Sequence, residues 1–377
     1  LNERYGGNKF IKVVVPLVII FGSGMYLMSQ MKAGGLIASY VTGMSYEWGL
    51  IIVTIIFILY VSLGGMLAVT WTNVLQGALM TILISAIVIG ALMHLPIGLG
   101  DFIRQATIEN PTLGKAGATI PIAGYIGAFV TWAAAVCVTP HLVMRIFTAK
   151  DEKSARLSLN ISMLIYGILM LCSALIIVPF ITILDAQVLQ NNASDMWMLL
   201  IAETFFGPLV MGVIAAGIMA AVMSSTDALL LAISSAVAYD LYKGVIKPEA
   251  TQRQVLTVSF IATWIIGIAV MLLSINPPPF LIVLYTAAVG LMVSAFFCPL
   301  VLGIWWKKAN TQGAIAGLVI GALSFLVAFF AFEMPYNSEI LVSLPLSFFS
   351  MTIVSSLTTS TSQEHLSKVT TYHNVDG

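Results

Sequence analysis

The strongest constraint in this sequence is a series of apolar runs, each about 20 residues long and nearly free of charge, that recur from residue 11 to residue 357. The hydrocarbon core of a bilayer is about 30 Å thick and a helix rises about 1.5 Å per residue, so one such run makes one crossing. The runs fall at about residues 11–31, 48–66, 74–95, 121–140, 158–184, 208–238, 255–275, 280–305, 313–332 and 339–357. They are continuously apolar instead of alternating, which selects helices over a β-barrel, the only two structures that satisfy the backbone in lipid. The expectation is an all-α polytopic membrane protein of about ten crossings, one transmembrane domain over residues 1–357 and a polar tail over 358–377. The sixth run, at about 30 residues, exceeds a perpendicular crossing and must tilt or project into water.

Composition excludes several function classes. Only 8% of the 377 residues are charged, against about 25% in a soluble domain, so a soluble enzyme is ruled out. The 16 basic residues balance 16 acidic ones without a basic cluster, which leaves no footprint for nucleic acid. Cys137, Cys172 and Cys298 lie in apolar runs at unrelated spacings and read as small buried hydrophobes; His94, His141, His365 and His373 show no ligand spacing. No catalytic or cofactor-binding residue is assigned.

The basic residues set an orientation, because Lys and Arg accumulate on the cytoplasmic side. With the first run starting inside, only Lys32, Arg104 and Lys115 fall outside, and the other 13 bases fall inside. Both ends of this stretch are therefore expected to be cytoplasmic in a multi-pass cell-membrane protein. The loop near residues 96–120 is then external and has room for a short interfacial helix. His141 and Arg145 read as anchors at the inner interface.

Small residues spaced four apart let membrane helices approach closely. Gly313, Gly317 and Gly321 form one stripe; Gly212, Ala216, Ala220 and Ser224 form a second, beside Gly217, Ala221 and Ser225. Plain packing accounts for the first. The sixth run carries more, since Ser224-Ser225-Thr226-Asp227 sits at the midpoint between Pro208 and Asp240. A carboxylate in hydrocarbon is costly, so Asp227 should face a partner or a water-filled cavity. The hydroxyls of Ser224 and Ser225 with the carbonyl of Ala221 make a set of hard oxygens suited to sodium. Serines in such helices also bond back to the carbonyl at i−4, and that reading stands beside the first. Asp227 lies about 200° around the helix from Ser225, so it should not share that ion. Thr139-Pro140-His141 and Pro277-Pro278-Pro279 are further breaks of the kind at which transporters place sites.

Several stretches then resemble the sodium:solute symporter family of proline, pantothenate, monocarboxylate and sugar permeases. Tyr60 to Gln76, with Gly64-Gly65, Ala68-Val69 and Trp71-Thr72-Asn73, is similar to its Gly-Gly, Ala-Val, Trp-Thr-Asp, Gln signature. Pro140-His141 with Arg145 and Phe147, Ala220 to Asp227, and Pro299-Leu300 with Gly303, Trp305 and Gly313-Ala314 follow in family order. The resemblance implies a LeuT-type fold of two inverted five-helix repeats, with this chain starting at the third core helix. On the same resemblance the chain, beginning at Leu1, is expected to be N-terminally truncated, without the family's leading helices. The resemblance also implies a sodium site using Ala221, Ser224 and Ser225, completed by carbonyls of the missing first core helix. Asn73 stands where the family has an aspartate on the sodium path toward the cytoplasm, and Ala228-Leu229 where many relatives have Ser-Gln. An amide can ligate sodium but cannot attract it by charge.

The implied function is sodium-coupled import of a small organic solute, carboxylate-bearing by preference, with Na+ as the coupling ion and Asp227 and Asn73 along the ion path. Tyr26, Gln30, Trp132 and Trp264 are candidates for the solute wall. The partners are the solute, sodium and the bilayer. A proton-translocating subunit would need a chain of buried titratable residues, and a channel a repeated pore-lining motif; neither pattern is visible.

Overall fold

The computed structural model describes residues 1–93, 95, 97–109, 111–112, 115, 117–118, 120–174, 193–277, 281–332, 334 and 336–358. All but the first residue of the expected tail over 358–377, and the end of the fifth run from residue 175, lie outside these. Among the described residues every regular element is helical: α1 (Lys9–Thr42), α2 (Tyr46–Met93), α3 (Leu99–Glu109), α4 (Ile122–Val138), α5 (Pro140–Phe147), α6 (Glu152–Cys172), a 3₁₀ turn (Ala193–Met196), α7 (Trp197–Ser235) continued by a π-helical stretch (Ala236–Ile246), α8 (Gln252–Leu273), α9 (Leu281–Trp305), α10 (Thr311–Phe330) and α11 (Ile340–Leu357). Among the described residues nine helical segments are long and apolar enough to cross a membrane, and α4 with α5, bent by 42°, makes a tenth when the pair is taken as one span.

Local chemistry sets the boundaries. The Asn8 side chain accepts from the amides of Phe10 and Ile11 to start α1, and Gly43, at φ 72, ends it with its amide on the Ser39 carbonyl. The 48 residues of α2 would extend about 72 Å if straight. Yet the hydroxyls of Tyr60 and Thr72, 12 residues apart, are hydrogen-bonded, and 12 residues of straight helix rise about 18 Å. The chain folds back between them, giving the two crossings Tyr46–Gly64 and Val69–Gly90. In the sixth run, Gly207 at φ 78 followed by Pro208 breaks the helix before the long crossing. That crossing runs on through the π-helical stretch to Ile246, 41 residues counted from Phe206. The segment between α2 and α4 holds the short helix α3, which buries Phe102 and Ala106 on one face.

α9 is the most buried crossing, with 72% of its apolar window enclosed. α1, α4, α10 and α11 pack around it. The Gly313, Gly317, Gly321 stripe faces α11 and α9: a Cβ on Gly321 would lie 2.0 Å from the Ser294 carbonyl oxygen, and one on Gly313 2.7 Å from that of Met351. Of the two stripes on α7, one packs closely, with Gly217 against Leu83, whereas Gly212 meets nothing within 4 Å.

Candidate functional site

The middle of α7 lies against α1, α2 and α5, and its polar residues divide between two faces. Ser225 meets the hydroxyl of Tyr26 on α1, and Tyr26 in turn meets Tyr285 on α9. The rings of Tyr26 and Tyr285 are 4.3 Å apart, Trp132 on α4 stands 4.8 Å from Tyr285, and His141 on α5 presents its edge to Tyr26 at 5.3 Å. One aromatic cluster therefore draws on three crossings and touches Ser225.

Most hydroxyls of this bundle turn back on their own helix. Thr226, Thr286 and Ser294 each donate to the carbonyl at i−4. Ser224 and Ser225 make no such bond among the described contacts. The Ser224 carbonyl instead accepts from Arg145 Nη2 at 2.9 Å, which fastens α5 to the centre of α7. Ala221 is half-buried one turn earlier on the same helix. A carbonyl and two hydroxyls within four residues are the hard, neutral oxygens that an alkali cation takes.

Asp227 looks the other way. It is 1% exposed, and Asn73 and Tyr60 of the two crossings of α2 approach it. Neither carboxylate oxygen is closed off in a well-formed hydrogen bond, and the amide oxygen of Asn73 is likewise buried without a partner. Read in the sequence as separate positions, Asn73 and Asp227 are thus neighbours, and the 200° separation from Ser225 corresponds to two distinct faces.

One sequence expectation changes. His141 is 7% exposed and packed inside the bundle, and Arg145 binds the α7 backbone, so neither is merely an interfacial anchor. Pro140 starts α5 after the extended Thr139, so the crossing is broken where the sequence marks a break. Of the solute-wall candidates, Tyr26 and Trp132 meet in the cluster. Trp264 pairs with Phe260 on α8 and takes no part in it; Gln30 bonds its neighbour Ser29. Tyr285 and His141 escaped the sequence reading as wall residues, although the break at Pro140 could have pointed to the histidine.

A cavity of about 550 Å³ opens at the opposite end of α1 from Lys32, lined in part by Lys12, Cys137, Phe147, Ser235, Asp240 and Phe296. At the Lys32 end three side-chain contacts run between elements. Lys32 Nζ lies 3.0 Å from Asp195, Tyr40 donates to Glu203, and Tyr46 donates to the Ser274 carbonyl. Lys32, one of the three bases assigned outside, is thereby neutralised.

The sequence model of the Sodium:solute symporter family matches residues 1–321. The osmoregulated proline transporter OpuE of Bacillus subtilis is 28% identical over 85% of this chain and 65% of its own length. The sodium/proline symporter of Escherichia coli is 29% identical over 85% of this chain and 64% of its own. This chain thus spans about 65% of the first of these relatives and about 64% of the second. Among solved structures, a Na+-coupled sialic acid symporter in a substrate-bound outward-open state superposes with a TM-score of 0.74 at 21% identity, covering 93% of this chain and 75% of that one. The fold is shared, a LeuT-like helical bundle. With matched motifs over 321 residues, the chain belongs to the sodium:solute symporter family.

Proposed function

We propose that the protein containing this chain is a secondary symporter that uses a sodium gradient to import a small carboxylate-bearing solute of the proline, pantothenate or monocarboxylate kind. The observation that carries the reading is the pair of hydroxyls on Ser224 and Ser225, neither bonded to the carbonyl at i−4 among the described residues, with Ser225 beside Tyr26. Sodium would be held by these hydroxyls and the Ala221 carbonyl. The solute would lie against Tyr26, Trp132, His141 and Tyr285.

A bond from an ion ligand to a wall residue gives the two sites a common element, so each ligand raises affinity for the other. Asp227, with Asn73 beside it, supplies the negative charge that the family carries on the α2 side, and draws sodium along its path. In this reading both ends of the stretch are cytoplasmic, sodium and solute enter at the Lys32 end, and they leave through the cavity beside Lys12 and Asp240. Relatives described as sodium/proline symporters make proline the first solute to test.

The test is uptake of radiolabelled proline, pantothenate, pyruvate and acetate by the full-length protein in proteoliposomes. One of them should accumulate under an inward sodium gradient and not under an equal potassium gradient. Uptake that is identical in the two salts would contradict the reading.

A further inference from the structure

The Asp195 carboxylate joins three elements. It lies in the 3₁₀ turn before α7, pairs with Lys32 on α1 at 3.0 Å, and accepts the amide of Leu281, the first residue of α9, at 3.4 Å. Lys32 and Asp195 side chains are 9% and 13% exposed, which places the pair just under the surface of the bundle. The first amides of a helix have no partner within it and form the positive end of its dipole, so a carboxylate there is doubly favoured.

We infer that the Lys32–Asp195 pair is a releasable latch that closes the bundle at this end, and that the first turn of α9 swings there while the far end of α9 stays fixed. A charge pair suits this role because its attraction is nearly offset by the lost hydration of both ions; separating it where water can enter exchanges one stable arrangement for another. The other end of α9 is held differently. Arg4 donates to the carbonyls of Gly303 and Ala309, and Tyr5 donates to that of Pro299. Pro299, Gly303 and Ala309 are themselves buried. The latch rests on the alternating access proposed above and adds to it the residues that hold one gate.

Ser29, 2% exposed and one turn inside Lys32 on α1, gives a reporter. In a full-length protein lacking Cys137, Cys172 and Cys298, Ser29→Cys is labelled with a membrane-impermeant thiol reagent applied from each side of the vesicle in turn. Lys32→Met and Asp195→Asn should each speed labelling from the Lys32 side by about tenfold, a shift typical of a two-state equilibrium losing one differential contact. The exchanged pair, Lys32→Asp with Asp195→Lys, should restore the slow rate. Equal rates in the parent and both single variants, or an exchanged pair as fast as they are, would overturn the latch. Sodium-driven uptake is measured on the same preparations. Sodium-dependent uptake with unchanged labelling rejects the latch alone, whereas faster labelling without sodium dependence supports the latch and rejects the symport reading.

Discussion

The two ends of the α1 and α9 pair are held by opposite kinds of chemistry. At the Lys32 end, two formal charges meet and one of them also caps the start of α9. At the other end Arg4 reaches across to two backbone carbonyls at and beyond the last turn of α9, stacks 5.0 Å over Tyr5, and leaves Tyr5 to bond a third carbonyl at Pro299. A cation at a helix C-terminus satisfies carbonyls that the helix cannot, and each bond to a charged donor contributes about 1.5–3 kcal/mol. A nearly buried ion pair contributes little net stability, because desolvation offsets the attraction. The difference teaches that stability and movement are assigned to separate ends of one helix pair: the arginine end holds and the ion-pair end releases.

The largest expected effect comes from breaking the held end. Arg4→Ala removes two charge-assisted bonds and leaves the Gly303 and Ala309 carbonyls without them, so thermal unfolding of the full-length protein in detergent should show a loss of about 3 kcal/mol or more. Next comes Gly303→Ala, which attacks the same end sterically, since its Cβ would lie 2.6 Å from the Tyr5 hydroxyl. It should displace that ring and destabilise by about 1–3 kcal/mol, read by the same melt.

Tyr5→Phe removes one neutral bond and should destabilise by about 1 kcal/mol. At the other end, Lys32→Met leaves the Asp195 charge without its cation and should destabilise more than the double change Lys32→Met with Asp195→Asn. The double variant should stay within about 1 kcal/mol of the parent, because an apolar or neutral replacement of both partners avoids the unpaired charge. The smallest effect is that of pH on the held end. Burial pushes the Tyr5 phenol above its ordinary value of 10, so the folded protein keeps it neutral. Its share of stability is complete below pH 10 and falls only as the unfolded chain ionises above that, so a melt of the parent should show no Tyr5-dependent change between pH 6 and about pH 9.

Much of this architecture is legible in the sequence, because crossings require long apolar runs and breaks require Gly or Pro. The break at Pro208, the bend at Pro140 and the Gly313 stripe follow from those requirements. The proposed ion ligands Ser224 and Ser225 stand out because hydroxyls and a carboxylate are conspicuous in hydrocarbon. What the sequence hides is pairing between distant residues. Asn73 and Asp227 are 154 positions apart, Lys32 and Asp195 163, and nothing local marks either as a pair. Arg4 is hidden for another reason: counted as one of 13 cytoplasmic bases, it gives no sign that its guanidinium turns inward to backbone carbonyls. Tyr285 sits in the largely apolar start of α9, where one aromatic residue reads as packing.

The most direct test of the account measures both ends at once. Spin labels at Val41 and Ile282 report the ion-pair end, and labels at Phe10 and Ile304 the arginine end; all four positions are exposed. Pulsed dipolar distances are recorded on the full-length protein in nanodiscs, in potassium and then in sodium. Sodium should favour the form open at the Lys32 end, lengthening the Val41 to Ile282 distance and leaving Phe10 to Ile304 within about 2 Å. Equal changes at both ends, or a larger change at Phe10 and Ile304, would contradict it.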